Sequence, residues 1–332
     1  MTLPVELNNL DFLTMFDHES LFRVGTGKRL FAFGSKSYDV FIAAFNLSER
    51  VSSTFQRVQA TEKFWIIHNE YRFLPEELPV TGVALQSTSS GEADFIIESL
   101  DPIQQKLMSA TDICIDITGF MRAHLIFLIS YLKALKVNRF DLIYTEPSQY
   151  MRKADTVFSS DVFEVRQVNG FEGVHSMDMT RDLLVIGAGY DHDLVSHVTT
   201  NKGSARLLQM LSLPSLSADM YQESLIRLHK VADAPMPSTE EQLAYSSAND
   251  PFATYLILGE AIRKMKSRHG PYSNLYLSPL ATKPQAVGFA LYYLHHLVDS
   301  AASIIFPFAR RYSKETSTGV GRSWLYRIDL AL

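Results

Sequence analysis

Two stretches of the chain follow one pattern, Ile113-Cys-Ile-Asp-Ile-Thr-Gly-Phe-Met-Arg122 and Leu275-Tyr-Leu-Ser-Pro-Leu-Ala-Thr-Lys-Pro284. In each, a short apolar run leads into a polar loop with a hydroxyl group and a cation, and then into an amphipathic run. The alignment continues without a gap, so that Phe127 corresponds to Phe289. An apolar run followed by a loop and a helical period is typical of a strand-loop-helix segment of a parallel sheet. The pattern therefore predicts the same segment twice.

A second pair of matching segments lies upstream of the first. Asp39-Val-Phe-Ile-Ala-Ala-Phe45 matches Asp182-Leu-Leu-Val-Ile-Gly-Ala188, and a polar turn, a helix and another apolar strand follow each of them. Any two βαβ units look alike, but here order and spacing agree across two units, which favours internal duplication. We predict an N-terminal half over 1–150, a connector over 151–180 and a C-terminal half over 181–332.

Most predicted strands are continuous apolar runs, which is typical of strands with both faces covered. The predicted strands are Leu30–Phe33, Val40–Phe45, Phe64–His68, Ile113–Ile117, Asp141–Thr145, Leu183–Gly187, Arg206–Leu211, Leu275–Ser278, Ile304–Phe306 and Trp324–Ile328. The predicted helices are Ser48–Ala60, Arg122–Lys136, His192–Thr200, Asp219–Val231, Thr239–Ala244, Pro251–Arg268 and Pro284–Leu297. Their alternation predicts an α/β fold of two Rossmann-like halves, with mainly parallel sheets flanked by helices.

Three segments do not fit the repeated pattern. The inserts 79–100 and 232–250 are rich in small and polar residues, and we predict that both are surface loops. Asp161–Val168, in the connector, is expected to add an edge strand or a hairpin.

Composition restricts the class of protein. The 332 residues are 46% hydrophobic and 20% charged, which excludes a disordered chain and fits about two domains. The formal charge of −5 is opposite to the basic field that captures nucleic-acid backbones, so general nucleic-acid binding is disfavoured. Cys114 is the only cysteine, which excludes an internal disulfide and suits the cytoplasm. We identify neither a signal peptide nor a transmembrane segment, and expect no association with membranes.

Candidate ligand contacts follow from the predicted topology. In an open parallel sheet, ligands bind beyond the carboxyl ends of the strands, where backbone N–H groups and helix N-termini are free. The loop 278–284 joins a strand to a helix and offers hydroxyl groups and one lysine, so we predict an anion site there. Gly187-Ala-Gly189 starts like a dinucleotide-binding turn, but the third glycine is missing and Asp191 follows, which argues against NAD. The predicted ligand contacts are Ser278, Thr282, Lys283, Thr118, Arg122, Gly187 and Gly189.

A second set of residues is suited to acid–base chemistry, namely Asp191, His192, Glu49 and Glu146. Charged residues at the start of a helix more often act as caps, so both roles stay open. The ten histidines form neither an HExxH motif nor a Cys/His pairing, and we predict no metal site. The sequence identifies no cofactor.

With paired βαβ units and polar loops after the strands, the chain resembles the tandem Rossmann-like modules of prokaryotic conflict systems, among them CRISPR-associated nucleotide sensors. The resemblance is one of architecture and covers most of the chain. It implies a nucleotide ligand held across a two-fold or pseudo-two-fold cleft.

We therefore expect a cytoplasmic binding or accessory protein that recognises a nucleotide or another phosphorylated small molecule, in a prokaryotic defence or regulatory complex. Two alternatives remain open: an enzyme of hydrolase or transferase type acting on a nucleotide or nucleoside, and a scaffold subunit of a protein complex. A protein partner or a homo-oligomer is expected in each case.

Overall fold

Two mostly parallel β-sheets, flanked by helices, form the framework of the chain, as the sequence predicts. The computed structural model describes residues 23–24, 36–150, 159–189, 191–216, 242–312 and 317–331. The strands of the first sheet are β1 (Arg23–Val24), β2 (Ser37–Ala44), β3 (Gln59–Ile66), β4 (Val83–Leu85), β5 (Ile113–Asp116), β6 (Arg139–Thr145) and β15 (Ser323–Asp329). Its helices are α1 (Glu49–Arg57), α2 (Glu92–Leu100), α3 (Gln104–Ser109) and α4 (Arg122–Ala134).

The second sheet is built in the same way. Its strands are β8 (Ser159–Gln167), β9 (Leu183–Gly187), β10 (Arg206–Ser212), β11 (Leu243–Ser246), β12 (Leu275–Pro279) and β13 (Ala302–Tyr312). Its described helices are α5 (His192–Asn201), α6 (Pro251–His269) and α7 (Lys283–His296). A separate two-stranded ribbon consists of β7 (Gln149–Tyr150) and β14 (Ser317–Thr318).

The strand order is the same in the two sheets. The parallel strands run β4-β3-β2-β5-β6 in the first and β11-β10-β9-β12-β13 in the second, so both follow the order 3-2-1-4-5 of a Rossmann-like sheet. Matching positions are occupied by the segments that the sequence aligns, β2 with β9 and β5 with β12. In such a sheet the order reverses between the first and fourth strands, where a crevice opens beyond their carboxyl ends.

Each half also gives one strand to the sheet of the other half. β8 follows β6 in the chain but pairs antiparallel with β13, whereas β15 follows β13 and pairs antiparallel with β6. The two segments that cross over pair with each other through β7 and β14. β15 therefore lies within 181–332 but belongs to the first sheet. The exchange is reciprocal, as a pseudo-two-fold relation between the halves requires. Descent from one duplicated unit stays a prediction.

One hydrophobic core extends through both halves. It contains Ile115 and Leu128 from the first half together with Phe289 and Ile304 from the second, each no more than 1% exposed. Helices α4 and α7 pack against each other across the junction. Burial of apolar surface is the main favourable term in folding, so this shared core stabilises the arrangement of the two halves.

Local signals set the helix starts that the site depends on. The Thr282 hydroxyl caps α7 by accepting from the Gln285 N–H at 3.3 Å, and a proline follows in the first turn. Asp250 caps α6 and accepts from two backbone N–H groups at 3.1 and 3.0 Å. That helix ends at Gly270, whose φ of +80° suits a residue without Cβ.

Both inserts carry regular structure, which corrects two expectations. Segment 79–100 contains β4 and α2, because Phe95 and Ile96 give the helix an apolar face that packs into the core. In segment 232–250, Leu243 and Ala244, the end of a helix expected over Thr239–Ala244, belong to β11 instead, since parallel pairing with β10 outweighs local propensity; residues 239–241 lie outside the described residues. Asp161–Val168 does form an edge strand, β8. The predicted strand Leu30–Phe33 and helix Asp219–Val231 lie outside the described residues.

Among the helices described, none is both long enough and apolar enough to cross a bilayer.

Candidate functional site

We call the place in each sheet where the strand order reverses, between the first and fourth strands, its switch point. The loops at the two switch points approach neighbouring backbone closely. A Cβ atom at Gly119 would lie 1.8 Å from the carbonyl oxygen of Ala44, at the end of β2. In the second half, a Cβ at Gly189 would lie 2.4 Å from the carbonyl oxygen of Leu280, just after β12. Both distances are far below van der Waals contact, so only glycine fits at either position. The ends of the first and fourth strands are thereby held together in each half.

The first residue of each central helix reaches into the opposite half. The Nε of Arg122, which begins α4, donates a hydrogen bond to the carbonyl of Ala281 at 2.5 Å. The Nζ of Lys283, which begins α7, donates to the carbonyl of Thr118. Each half thus supplies a cation to the switch-point loop of its counterpart. Two of the predicted ligand contacts, Arg122 and Lys283, are brought together in this way.

A third cation, Arg50, lies in the same region. Its Nε donates to the Ser48 hydroxyl at 3.2 Å, and its Nη1 donates to the Thr145 carbonyl at 2.9 Å. We call Arg50, Arg122 and Lys283 the cation cluster. Within the described part of the chain, their hydrogen bonds all go to uncharged oxygens, and none of them forms an ion pair. A neutral acceptor satisfies a donor but does not neutralise its charge, and the carboxylates that act on the cluster, Asp116 and Asp191, do so without a direct ion pair to it among the described contacts.

Electrostatic coupling confirms that the three cations are near one another. Burial lowers the pKa of Lys283 far below its usual range, and the charges of Arg50 and Arg122 lower it further. Burial likewise lowers the pKa of Arg122, against the opposing influence of Tyr312 and Asp191. Bringing like charges together in a poorly solvated place is unfavourable unless an anion balances them.

Asp116, the last residue of β5, is the carboxylate closest in topology to the cluster. It is fully buried, and its Oδ1 accepts from the Thr118 N–H at 2.9 Å. Its Oδ2 has no hydrogen-bond partner among the residues described. Burial raises the pKa of Asp116 to about 6, although the Thr118 hydrogen bonds and the charges of Arg50 and Lys283 act in the opposite direction. The group can therefore hold a proton in mildly acidic solution.

The predicted hydroxyl and glycine contacts have structural roles. The Thr118 hydroxyl accepts from the Thr145 N–H at 2.9 Å, and the Thr282 hydroxyl caps α7 and donates to the Ala248 carbonyl. Ser278 is the exception, because it is fully buried within β12 and its Oγ has no hydrogen-bond partner among the described residues. Gly187 ends β9 against the ring of Phe289. Of the seven predicted contacts, the two cations are the ones that reach into the opposite half.

The acid–base candidates are dispersed. Glu146 accepts from Trp324 Nε1 at 2.7 Å, from Asn249 Nδ2 at 2.9 Å and from Arg322 Nε at 3.1 Å. Glu49 is exposed in the first turn of α1. Asp191 caps α5, and His192 is the first residue of that helix, with its side chain outside the described set. These four residues are not assembled around a common point by their described contacts.

The structure gathers three residues that sequence spacing did not connect: His68, Glu70 and His124. The Nε2 of His124 lies 3.5 Å from Oε1 of Glu70, and the two imidazole rings are 4.7 Å apart. Burial lowers the pKa of both histidines, so that both are neutral at pH 7. His68 and Glu70 follow the end of β3, so their position after a strand could have identified them as candidate site residues. His124 belongs to α4, and only the fold brings it next to the other two.

Tyrosine side chains complete the surroundings of the cation cluster. Tyr71, Tyr144 and Tyr312 all interact electrostatically with Arg122, and burial raises the pKa of Tyr71 to about 12.

Comparison with known proteins adds no assignment. A scan against protein-family models finds no matching family, and a search of curated proteins finds no similar sequence.

Proposed function

We propose that the chain binds a phosphorylated small molecule of nucleotide type at the facing switch points of its two sheets. The observation that carries this proposal is the cation cluster: three positive side chains converge from both halves, and their described hydrogen bonds go to neutral oxygens. An anion would compensate this charge, and phosphate is the anion for which arginine and helix N-termini are best suited.

Two long helices add to the attraction for an anion. Helices α4 and α7, of 13 and 14 residues, begin at Arg122 and Lys283. The N-terminus of a helix carries about half a positive charge, and its first N–H groups lack partners within the helix. The two helix starts and the cation cluster therefore attract the same kind of group.

The nucleotide class rests on the surroundings of Arg122. The tyrosines Tyr71, Tyr144 and Tyr312 interact electrostatically with Arg122 and are aromatic residues near the cation cluster. A base can stack on an aromatic ring while its phosphates pair with nearby cations. A nucleotide uses both features, whereas inorganic phosphate uses the cations alone.

Calorimetric titration with phosphate, AMP, ATP and cyclic dinucleotides tests the proposal directly. We expect a nucleotide to bind more tightly than phosphate. In Lys283→Met the affinity should fall about 10- to 100-fold, because a hydrogen bond to a charged group contributes about 1.5–3 kcal/mol. Lys133→Met is the matched control, since Lys133 also donates from α4 to a carbonyl of the other half, Leu294, at 3.3 Å, but lies at the far end of the helix.

Two outcomes would refute the proposal. One is the absence of binding by every phosphate-containing probe. The other is an equal loss of affinity in Lys283→Met and Lys133→Met, which would mean that contact between the halves, rather than the cation, is what matters.

We further propose that the protein acts as a sensor or accessory subunit of a cytoplasmic defence or regulatory assembly. The support is the pairing of two switch points in one chain, because a ligand held between them touches both halves. Light scattering of the full chain with and without the bound nucleotide tests this role, and a change in assembly state is expected. Copurification of a stoichiometric partner whose binding does not change when any of the nucleotides is added would favour the scaffold alternative.

Asp116 favours a second candidate, an enzyme acting on a nucleotide or nucleoside. A buried carboxyl group with a pKa of about 6 and one oxygen without a partner in the described residues is suited to donate or accept a proton. Chromatography of nucleotides incubated with the protein would detect turnover. Loss of product in Asp116→Asn with binding retained would support the enzyme, and unchanged nucleotides in the wild type would exclude it for the compounds used.

A further inference from the structure

The cluster of His68, Glu70 and His124 adjoins the cation cluster, since the charge of Lys283 acts on His68, but it contributes none of the three cations. His68 follows β3, Glu70 belongs to the short 3-10 turn Asn69–Tyr71, and His124 is in the first turn of α4. One potential ligand atom from each residue lies within 4.8 Å of the other two. Three separate elements thus direct metal-ligating side chains at one point.

The ligand atoms in this cluster are largely unused. Both ring nitrogens of His68, Nδ1 of His124 and Oε2 of Glu70 are buried without a hydrogen-bond partner among the described residues. The two histidines are 1% and 4% exposed. Buried polar atoms are nearly always satisfied, so several unsatisfied atoms converging on one point indicate a missing ligand. One nitrogen of each neutral imidazole and the Glu70 carboxylate are electron-pair donors, which a cation would satisfy together.

We propose that His68, Glu70 and His124 bind one divalent transition-metal ion, with Zn²⁺ the best fit. Two imidazole nitrogens and one carboxylate form a ligand set that zinc accepts, with a fourth position left for water or substrate. Two nitrogen ligands disfavour Mg²⁺ and Ca²⁺, which prefer oxygen. The only cysteine, Cys114, lies within β5 and takes no part.

The distances suit a small ion. With zinc–ligand bonds of about 2.0–2.1 Å, ligand atoms at the corners of a tetrahedron are about 3.3 Å apart. The separation of 3.5 Å between His124 and Glu70 is close to this value, and the 4.8 Å limit for the set requires side-chain shifts of about 1 Å. Phe95 stacks on His68 at 5.1 Å and 15°, and Phe120 meets its edge at 5.7 Å. These rings hold the imidazole in place before the ion arrives.

Metal binding by the full chain tests this proposal without any assay of activity. The protein is stripped with EDTA and titrated with Zn²⁺ by calorimetry, and the retained metal is counted by mass spectrometry after gel filtration. Co²⁺ serves as a spectroscopic probe, because a tetrahedral site gives visible absorption bands. We expect about one ion per chain, and at least a tenfold loss of affinity in Glu70→Gln and in His124→Gln.

Two controls make the result specific. His197→Gln removes an exposed histidine on α5 and should leave metal binding unchanged. Lys283→Met removes a positive charge that acts on His68, so it should bind the metal at least as tightly as wild type while losing nucleotide affinity, and the two proposals can fail separately. If His124→Gln does not fold, the nearly isosteric Glu70→Gln decides. Wild-type protein that binds neither ion, or a Glu70→Gln variant that binds as tightly as wild type, would overturn the proposal.

Discussion

Glu146 provides a sharp test of how the two halves are joined. Its carboxylate is 4% exposed and accepts from Trp324 on β15 and from Asn249 just before α6. Hydrogen bonds to a charged group contribute about 1.5–3 kcal/mol each, so losing both costs about 3–6 kcal/mol. The third donor, Arg322, is more than half exposed and adds at most about 1 kcal/mol. The variant no longer has to bury a charged carboxylate, and this gain offsets part of the loss of hydrogen bonds. Glu146→Ala should therefore lower the free energy of unfolding by about 3–5 kcal/mol.

Urea unfolding followed by far-ultraviolet circular dichroism measures the change. Tryptophan fluorescence is unsuitable, because the indole of Trp324 itself contacts the mutated side chain. Glu146→Gln keeps one oxygen acceptor and should fall between wild type and Glu146→Ala. Glu164→Ala is the matched control, since that carboxylate is half exposed, lies 3.6 Å from Arg166, and should change stability by no more than about 0.5 kcal/mol. If Glu146→Ala were as stable as Glu164→Ala, the assigned role would be wrong.

Three further predictions concern the switch points. Gly119→Ala forces a Cβ onto the Ala44 carbonyl and should lower the free energy of unfolding by about 3 kcal/mol or more, measured from the urea midpoint and the soluble yield. Gly91→Ala, where the nearest contact of the new Cβ is at 3.8 Å, should be tolerated. Equal stability of the two variants would contradict the close approach at Gly119. The pKa of Asp116 rises from 3.8 to about 6, so the folded protein holds a proton that the unfolded chain releases. Its contribution to stability therefore falls as pH rises, by about 2 kcal/mol between pH 4 and 6 and by about 3 kcal/mol over the whole titration. Asp116→Asn should remove that slope in urea titrations at stepped pH, and an unchanged slope would refute the shift. Because the pKa of Lys283 is lowered, this side chain loses its proton and its charge as pH rises, and nucleotide affinity should fall with it. Lys283→Arg keeps its charge and should make the affinity measured by calorimetry less dependent on pH. The same pH dependence in wild type and Lys283→Arg would contradict this prediction.

The central strands themselves were predictable because each is a continuous apolar run. β5, β9 and β12 are fully buried, and their sequences contain almost nothing but apolar residues. The strand β11 was not predictable in the same way. It has four residues of alternating burial, and pairing with β10 decides its conformation. Tertiary pairing of this kind leaves little trace in a local window of sequence.

The exchange of β8 and β15 lay beyond the reach of local patterns. Each segment reads as a strand, but nothing within Trp324–Ile328 indicates that it pairs with β6 and not with the nearer β13. Sequential neighbours usually pair, and that preference favours the wrong sheet here. The same limit applies to the site. Arg122 and Lys283 were predictable as helix-start cations, whereas their reach into the opposite half depends on the packing of α4 against α7.

The reciprocal contacts of Arg122 and Lys283 also bear on how an anion could be accommodated. A lysine has three N–H donors and an arginine five, and the described contacts use one on each side chain. An anion can therefore engage the remaining donors while both contacts between the halves stay in place. Binding then adds bonds at the junction of α4 and α7 and opposes none, so a ligand at this point should stabilise the two halves together. A ligand that required either carbonyl contact to break would first have to replace about 1.5–3 kcal/mol of stability, which makes the additive arrangement the more favourable one.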